Sequence, residues 1–529
     1  KPSHVRDFAI LRAMEANLTL SQSLDLFMLT TRPKPAHLDA LATKEQNGSI
    51  KRMVACSRSK LSDFDQLDDE CLELAFSTVA AMNLSNEQLL QIAERLAPLS
   101  PEKAIALRLI TDENLSSLAW QLGARRWIEL FLAAGGTPRL EQFDVNLTHD
   151  QLDALTKTPN IDAFLKAVAI RSGLGNLKRS LAGFKAEELS ADHNFWIFLS
   201  LLQVQLREEA TLYLNASLLK AKTALQRDRA RFWRWILNHD NNDLIELIKS
   251  SDLNFYTLYA YEELAQRPSI ETEAIGFTTD SNSSAPSYTE PFGWWSFIHF
   301  VQHASEVELF ELAKRYNTTE LEHYRAYILE RAWNFRRHYY ISPFQELLTN
   351  ETTHRKAIVL AIGRQESRFL EGSLSRSYAV GVMQLMPFVI DAIAKQKKEQ
   401  VALEEFFKAE PNIRYALIHL NWLEEQTNHP LLTAYAYNGG FGALKRGIAN
   451  GLFADLSQPY EPFLSMERIA SDETRDYGKK VLVNYVIYRL ILSDESNETE
   501  PLPTLHSLLQ SLDSPLQMIR AKMRAQASR

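Results

Sequence analysis

The stretch AIGRQESRFL, residues 361–370, brings a carboxylate to the end of an apolar run: Ala357, Ile358, Val359, Leu360, Ala361 and Ile362 precede Glu366 by one turn. Apolar residues on consecutive positions predict a helix buried nearly all round, in the middle of a helical domain. A carboxylate on such a helix has two fates. It pairs with a nearby cation, here Arg364 or Arg368, or it stays poorly solvated with a raised pKa and serves as an acid. Read alone, pairing is the commoner fate, because a Glu near a helix end is ordinarily solvated or in an ion pair.

The segments that follow change that balance. Ser375 opens a loop that ends in AVGVMQLMP (379–387), where Gly381 allows close backbone approach and Pro387 can start the next helix. AYAYNGGFG (434–442) puts Tyr437 and Asn438 at the end of a helix that the glycines terminate. MERIASDETRDYGKKVLVNYV (466–486) sets Glu473, Thr474 and Arg475 at a helix start, with Asp472 as the cap. Polar and aromatic groups around a groove suit carbohydrate, which presents flat C–H faces and many hydroxyls.

Farther out, the pattern stays helical and strand-like alternation is hard to find, so the chain is expected to be all-α. Residues 1–274 read as short helical hairpins, mostly one to two dozen residues per helix, broken at TRPKP, APLSPE, GGTP and TPN. Ser100 before Pro101 and Glu102, and Thr148 before Asp150, are expected caps. No strict sequence repeat is present, so an irregular superhelix is the expectation. The Ser-, Thr- and Pro-rich stretch 275–293 reads as a linker or long loop, 294–344 as a small helical linker domain, 345–495 as a further helical unit with motif-like loops, and 496–529 as a C-terminal helical tail whose basic end is solvated.

Composition removes several function classes. The 529 residues are 45% hydrophobic and 23% charged with net charge -8, a globular composition without the clustered basic surface that nucleic acid requires. No apolar run approaches the roughly 18 residues that span a bilayer. The chain opens at Lys1 without an apolar leader, which fits a form whose export signal has been removed. Cys56 and Cys71 are the only cysteines; they pair if the protein is exported and are otherwise two small buried residues.

RQES, then SxxxAxGxMQLMP, then AYN-G-G, then E-T-R-x-Y, in that order within 345–495, together resemble the catalytic domain of the soluble lytic murein transglycosylases. The helical N-terminal two thirds resembles that family's superhelical domain, U-shaped or ring-like, and its small linker domain. The resemblance implies a lysozyme-like catalytic domain that cleaves the MurNAc–GlcNAc β-1,4 bond of peptidoglycan and leaves 1,6-anhydromuramic acid ends, cutting from strand ends. It implies Glu366 as catalytic acid and then base, and Ser375 near the substrate N-acetyl group. Met383 and Gln384 line the groove on this reading, Tyr437 stands beside Glu366, Asn438 supports it, and Glu473 holds substrate or the local polar network. The implied partners are peptidoglycan glycan strands, with cell-wall synthetic enzymes as further candidates, and the implied location is the periplasm. Four positions depart from the family pattern: Tyr378 and Ala416 stand where Gly is usual, Val382 where Leu is, and Ala470 where Pro is.

Other readings compete. A muramidase hydrolysing the same bond would need a second carboxylate to activate water, and Glu473 and Glu371 are the local candidates. A non-catalytic peptidoglycan-binding scaffold would make Glu366 dispensable. His299 and His303 lie four apart with Glu306 nearby, but without a third ligand set they assign no metal, and no cofactor is assigned. Trp294 and Trp295 could stack on a glycan, although paired aromatics at a helix start more often pack into a core.

Overall fold

A computed structural model describes residues 2–45, 48–274, 286–496 and 501–527, with the side chains of 494–496 and 527 excluded. Of the expected linker 275–293, residues 275–285 therefore lie outside the described residues, and the last three already belong to the helix Pro291–His303. Among the described residues the fold is all-α, with extended pairing confined to isolated bridges: Glu271 with Tyr339, and Val380 with both Leu374 and Leu385.

The chain forms two compact units, Lys1–Lys220 and Ala221–Arg529. In the first, helices pack mainly on their neighbours in sequence, as hairpins do. They are shorter than the sequence pattern suggests, from the single turn Thr78–Ala81 to the 13-residue Ala191–Gln203 and Arg207–Leu219. Thr148 caps His149–Thr156 as expected, its hydroxyl accepting from the Gln151 N–H. Ser100 does hold the cap position of Pro101–Ile110, but its hydroxyl turns to Glu73 instead of the helix. Fully buried Trp127 centres one core layer: Phe131 stacks on it at 5.7 Å, while Phe143 and Phe164 meet it edge-on. Each such ring removes enough apolar surface from water to stabilise the fold by about 2–3 kcal/mol. Cys56 and Cys71 form a disulfide with Cα atoms 4.7 Å apart, which settles the open reading in favour of pairing.

The second unit places the motif segments. Its relevant helices are α1 (Phe255–Glu263), α2 (Glu322–Ala332), α3 (Thr353–Ser367), α4 (Ala409–Thr427), α5 (Pro430–Gly439), α6 (Phe463–Glu467), α7 (Asp472–Ser496), α8 (Leu505–Gln510) and α9 (Asp513–Ala527). The apolar helix predicted around Ala357–Ile362 is α3, and all six residues are buried. It runs against α7, which also packs on α5 and α1. Asp472 is the first residue of α7, not its cap; the Ser471 hydroxyl accepts from the Thr474 N–H and closes that end.

Two boundaries differ from the sequence reading. The segment 221–274 belongs to the second unit, not with the helices before it, because α1 is tied into that unit by side chains. Tyr259 and Phe255 pack with Phe463 of α6, and Tyr256 donates to Glu467. The basic C-terminus, expected to be a solvated tail, is docked. Leu505, Leu512, Leu516 and Ile519 are buried, the His429 imidazole meets the Leu508 carbonyl at 2.8 Å, and Lys522 donates to the Glu425 carbonyl at the end of α4. An amphipathic stretch finds its apolar partner only in three dimensions, so neither boundary is visible in composition.

Candidate active site

The question posed by AIGRQESRFL is answered by a residue outside it. Glu330 of α2 is buried, and its two carboxylate oxygens take both neighbouring cations: Arg364 at 2.6 Å and Arg368 at 3.1 Å. Burial alone would drive the Glu330 proton on, but the two guanidinium charges outweigh it and hold its pKa below the ordinary value. With both arginines committed, Glu366 has no cationic partner among the described residues. The Tyr477 hydroxyl of α7 donates to its Oε1 at 2.7 Å.

Glu366 is half-buried, with Tyr477 of α7 on its carboxyl and Tyr437 of α5 close enough to feel its charge. Burial pushes its pKa up to about 8; the Tyr477 donation opposes that shift and the negative charge of Glu473 adds to it. The carboxyl is therefore largely protonated at neutral pH on a residue that keeps part of its surface in water, as a proton donor requires. Tyr477 and Tyr437 both have pKa values raised well above the ordinary value by burial and by the Glu366 charge, so both remain neutral donors.

Of the expected site residues, Tyr437 and Glu473 stand near Glu366 and Asn438 bonds Glu473, whereas Ser375 and Gln384 bond within the loop and Met383 packs on Gly363. Tyr437 lies close enough to Glu366 to feel its charge, yet its hydroxyl donates to the Met383 carbonyl at 2.7 Å, so it joins α5 to the loop. Tyr477 instead makes the bond to the carboxylate. Asn438 donates to Glu473 at 3.1 Å and accepts from the Thr474 hydroxyl at 2.7 Å, which fixes the end of α5 to the start of α7. Glu473 and Tyr477 are four apart on α7 and lie on the same side of it, Glu473 exposed and Tyr477 buried. That spacing, inside the E-T-R-x-Y segment, is the signal from which Tyr477 could have been found.

The loop between α3 and Pro387 is built to a tight specification. The Ser375 hydroxyl accepts from the N–H groups of Ser377 and Ala379, so it shapes the turn. Gly381 has φ +74, and a Cβ there would stand 2.1 Å from the Phe406 carbonyl oxygen. Gln384, at φ +49, donates to the carbonyls of Gly381 and Ser373. Met383 is buried, its sulfur against Gly363 of α3, where the sequence reading put it on the groove wall. Tyr378, standing where the family usually has Gly, adopts φ +70, a backbone region in which glycine carries no Cβ penalty.

Two further residues hold this loop and were not singled out by the sequence. Asn412 of α4 is fully buried; its carbonyl accepts from the Met383 N–H at 2.7 Å, and its amide donates to the carbonyls of Val380 and Phe406. Ser367, two residues past Gln365 on α3, donates to the Val382 carbonyl at 2.7 Å. The second carboxylate candidates separate clearly. Glu371 accepts from the Ala409 N–H at the start of α4 and from Ser287, a structural task, whereas Glu473 faces Glu366. The His299 and His303 rings meet tilted at 4.3 Å and Trp295 stacks on His299, packing within one helix.

Comparison with known proteins now bears on this geometry. Residues 345–454 match the Transglycosylase SLT domain model. Over these residues the chain is similar to the SLT transglycosylase family. A putative soluble lytic murein transglycosylase of Haemophilus influenzae is 30% identical over 213 residues, 39% of this chain and 34% of that protein, so the match spans about a third of its relative's length. The solved lytic transglycosylase Slt of Pseudomonas aeruginosa, an inactive mutant, shares the fold with TM-score 0.52 and 16% identity over 92% of this chain and 80% of that one. The 70 kDa soluble lytic transglycosylase of Escherichia coli gives TM-score 0.47 and 15% identity at the same coverages.

Proposed function

We propose that the chain is a peptidoglycan lytic transglycosylase in which Glu366 is acid and then base. The observation that carries this reading is a protonated, cation-free carboxyl, held by Tyr477 at the end of a buried helix beside an SLT-type loop. In the first step Glu366 gives its proton to the glycosidic oxygen between MurNAc and GlcNAc. The C1–O bond breaks as the MurNAc N-acetyl carbonyl oxygen bonds to C1, which gives an oxazolinium-like intermediate. In the second step the Glu366 carboxylate removes the proton of the C6 hydroxyl, O6 bonds to C1, and the bond to the acetamido oxygen opens. The product is a 1,6-anhydro end, and the proton returns to Glu366 with no water consumed.

Tyr477 supports both steps because its donation favours the charged carboxylate left after the first. Glu473 keeps a hydrolytic reading alive, since its carboxylate neighbours Glu366, as water activation would require. Its tie to Asn438 favours a positioning task instead. The Cys56–Cys71 disulfide supports an oxidising compartment, hence the periplasm, with glycan strands as substrate and cell-wall synthetic enzymes as candidate partners. No described helix is long and apolar enough to cross a membrane. Cutting from strand ends follows from the resemblance, and a product series from defined strands that began with internal cuts would remove it.

The deciding experiment is mass spectrometry of the soluble products released from purified peptidoglycan by the native chain and by Glu366→Gln. Muropeptides with 1,6-anhydro ends from the native chain alone establish the proposal. Ends heavier by one water would assign a muramidase, and release of nothing by either protein would leave a binding scaffold.

A further inference from the structure

We infer that His419 and Trp422 of α4 form an aromatic platform that holds a saccharide ring of the same glycan strand, beyond the sugars cleaved at Glu366; this rests on the proposed glycan activity. The platform begins at the catalytic carboxyl. Tyr437, which feels the Glu366 charge, meets the His419 ring at 5.6 Å, and His419 stacks on Trp422 at 6.0 Å with only 16° between the planes. Phe441, just past the glycines that end α5, closes the far side against Trp422 edge-on at 5.9 Å, with Lys445 over its ring.

Two properties separate this row from ordinary core packing. Trp422 is 47% exposed, and among the described residues it is the only strongly exposed tryptophan. It gains no burial that would explain a large apolar ring at that position. Its neighbour His419 is kept neutral by burial, its pKa lowered to about 4, so the surface presents flat, uncharged faces. A pyranose offers the matching surface. One face of the ring is a sheet of C–H groups, slightly positive against the negative face of an indole, while its hydroxyls stay in water. Continuity of the row with Tyr437 selects a sugar of the bound strand as occupant in preference to an unrelated partner.

The test uses the full chain carrying Glu366→Gln, which binds without turnover, and N-acetylglucosamine oligomers of increasing length as probes. Affinity is read by calorimetry and by quenching of tryptophan fluorescence, with and without Trp422→Ala or Trp422→Tyr. The expected result is an affinity that rises with length, about a tenfold loss in Trp422→Ala for the longest oligomers, as for a buried aromatic anchor, and recovery in Trp422→Tyr. Thermal midpoints alike in all three show that the loss is not unfolding. Equal affinities for Trp422→Ala at every length, or no binding of any oligomer, overturn the platform. The outcome is separate from the activity: anhydro products with no effect at Trp422 keep the enzyme and remove the platform. Trp422-dependent binding without products removes the enzyme and keeps the sugar site.

Discussion

At the scale of one residue, the site is a contest over a proton. Glu366 binds its proton more tightly in the folded chain, with a pKa of about 8, than in an unfolded one at 4.5. Between those pH values the folded state therefore holds the extra proton, and stability falls as pH rises through the window. The full shift corresponds to roughly 3–5 kcal/mol, an upper bound for a side chain that keeps some contact with water. Glu366→Gln should thus raise the unfolding midpoint at pH 8 and change it little at pH 4.5, a comparison that calorimetry at both pH values makes directly. Tyr477→Phe acts oppositely on the charge. Without the donated hydrogen bond the carboxylate is less favoured, so the Glu366 pKa rises further and the alkaline limb of the pH–rate profile moves to higher pH. A fall in kcat/KM of about 10–100-fold accompanies it, the worth of a hydrogen bond to a charged group. An unmoved alkaline limb would remove Tyr477 from the reaction.

At the scale of elements, the loop from Ser375 to Pro387 is shaped by what stands behind it. Asn412 satisfies three backbone groups at once, and Gly381 lets the Phe406 carbonyl approach where a side chain would collide. Gly381→Ala must either move α4 or force a Cβ into backbone at φ +74, so a loss of at least about 2 kcal/mol is expected, measured by urea unfolding. Activity should fall with it, because the same loop carries Met383, whose carbonyl orients Tyr437. Much of this was legible. The Gly and Pro positions announced a close loop and a helix start, and AYNGG announced a helix stop, since φ preferences are local. The partners were not. Asn412 sits 29 residues from the Met383 N–H it satisfies, and no spacing rule reaches that far.

At the scale of the second unit, a buried polar cluster fastens α7 to α1. Lys479 pairs with Glu467 at 2.8 Å and donates to the Tyr256 hydroxyl, which itself donates to Glu467 at 2.6 Å. Burial disfavours the Glu467 charge, yet attraction to Lys479 and Arg229 outweighs it and keeps the carboxyl ionised. Lys479→Met strands that charge and should cost about 3–5 kcal/mol, whereas replacing Glu467 by Leu as well should restore much of the loss. Denaturant midpoints of the single and double variants check this, and equal losses in both would show that the pair does not act as a unit. Because α7 also carries Glu473 and Tyr477, the single variant is further expected to lower kcat more than it raises KM.

The sequence by itself determined the all-helical class, the buried helix under Glu366, and the loop and helix ends around it. Periodicity, caps and glycine positions are local, and an ordered motif series survives reading without coordinates. Only the tertiary structure decided that Arg364 and Arg368 belong to Glu330, that Tyr477 and not Tyr437 bonds the carboxyl, and that residues 221–274 and the C-terminal helices belong to the second unit. Those outcomes depend on which charges and apolar faces meet across hundreds of residues, and that choice is made by packing, with the desolvated carboxyl of Glu366 as its chemical consequence.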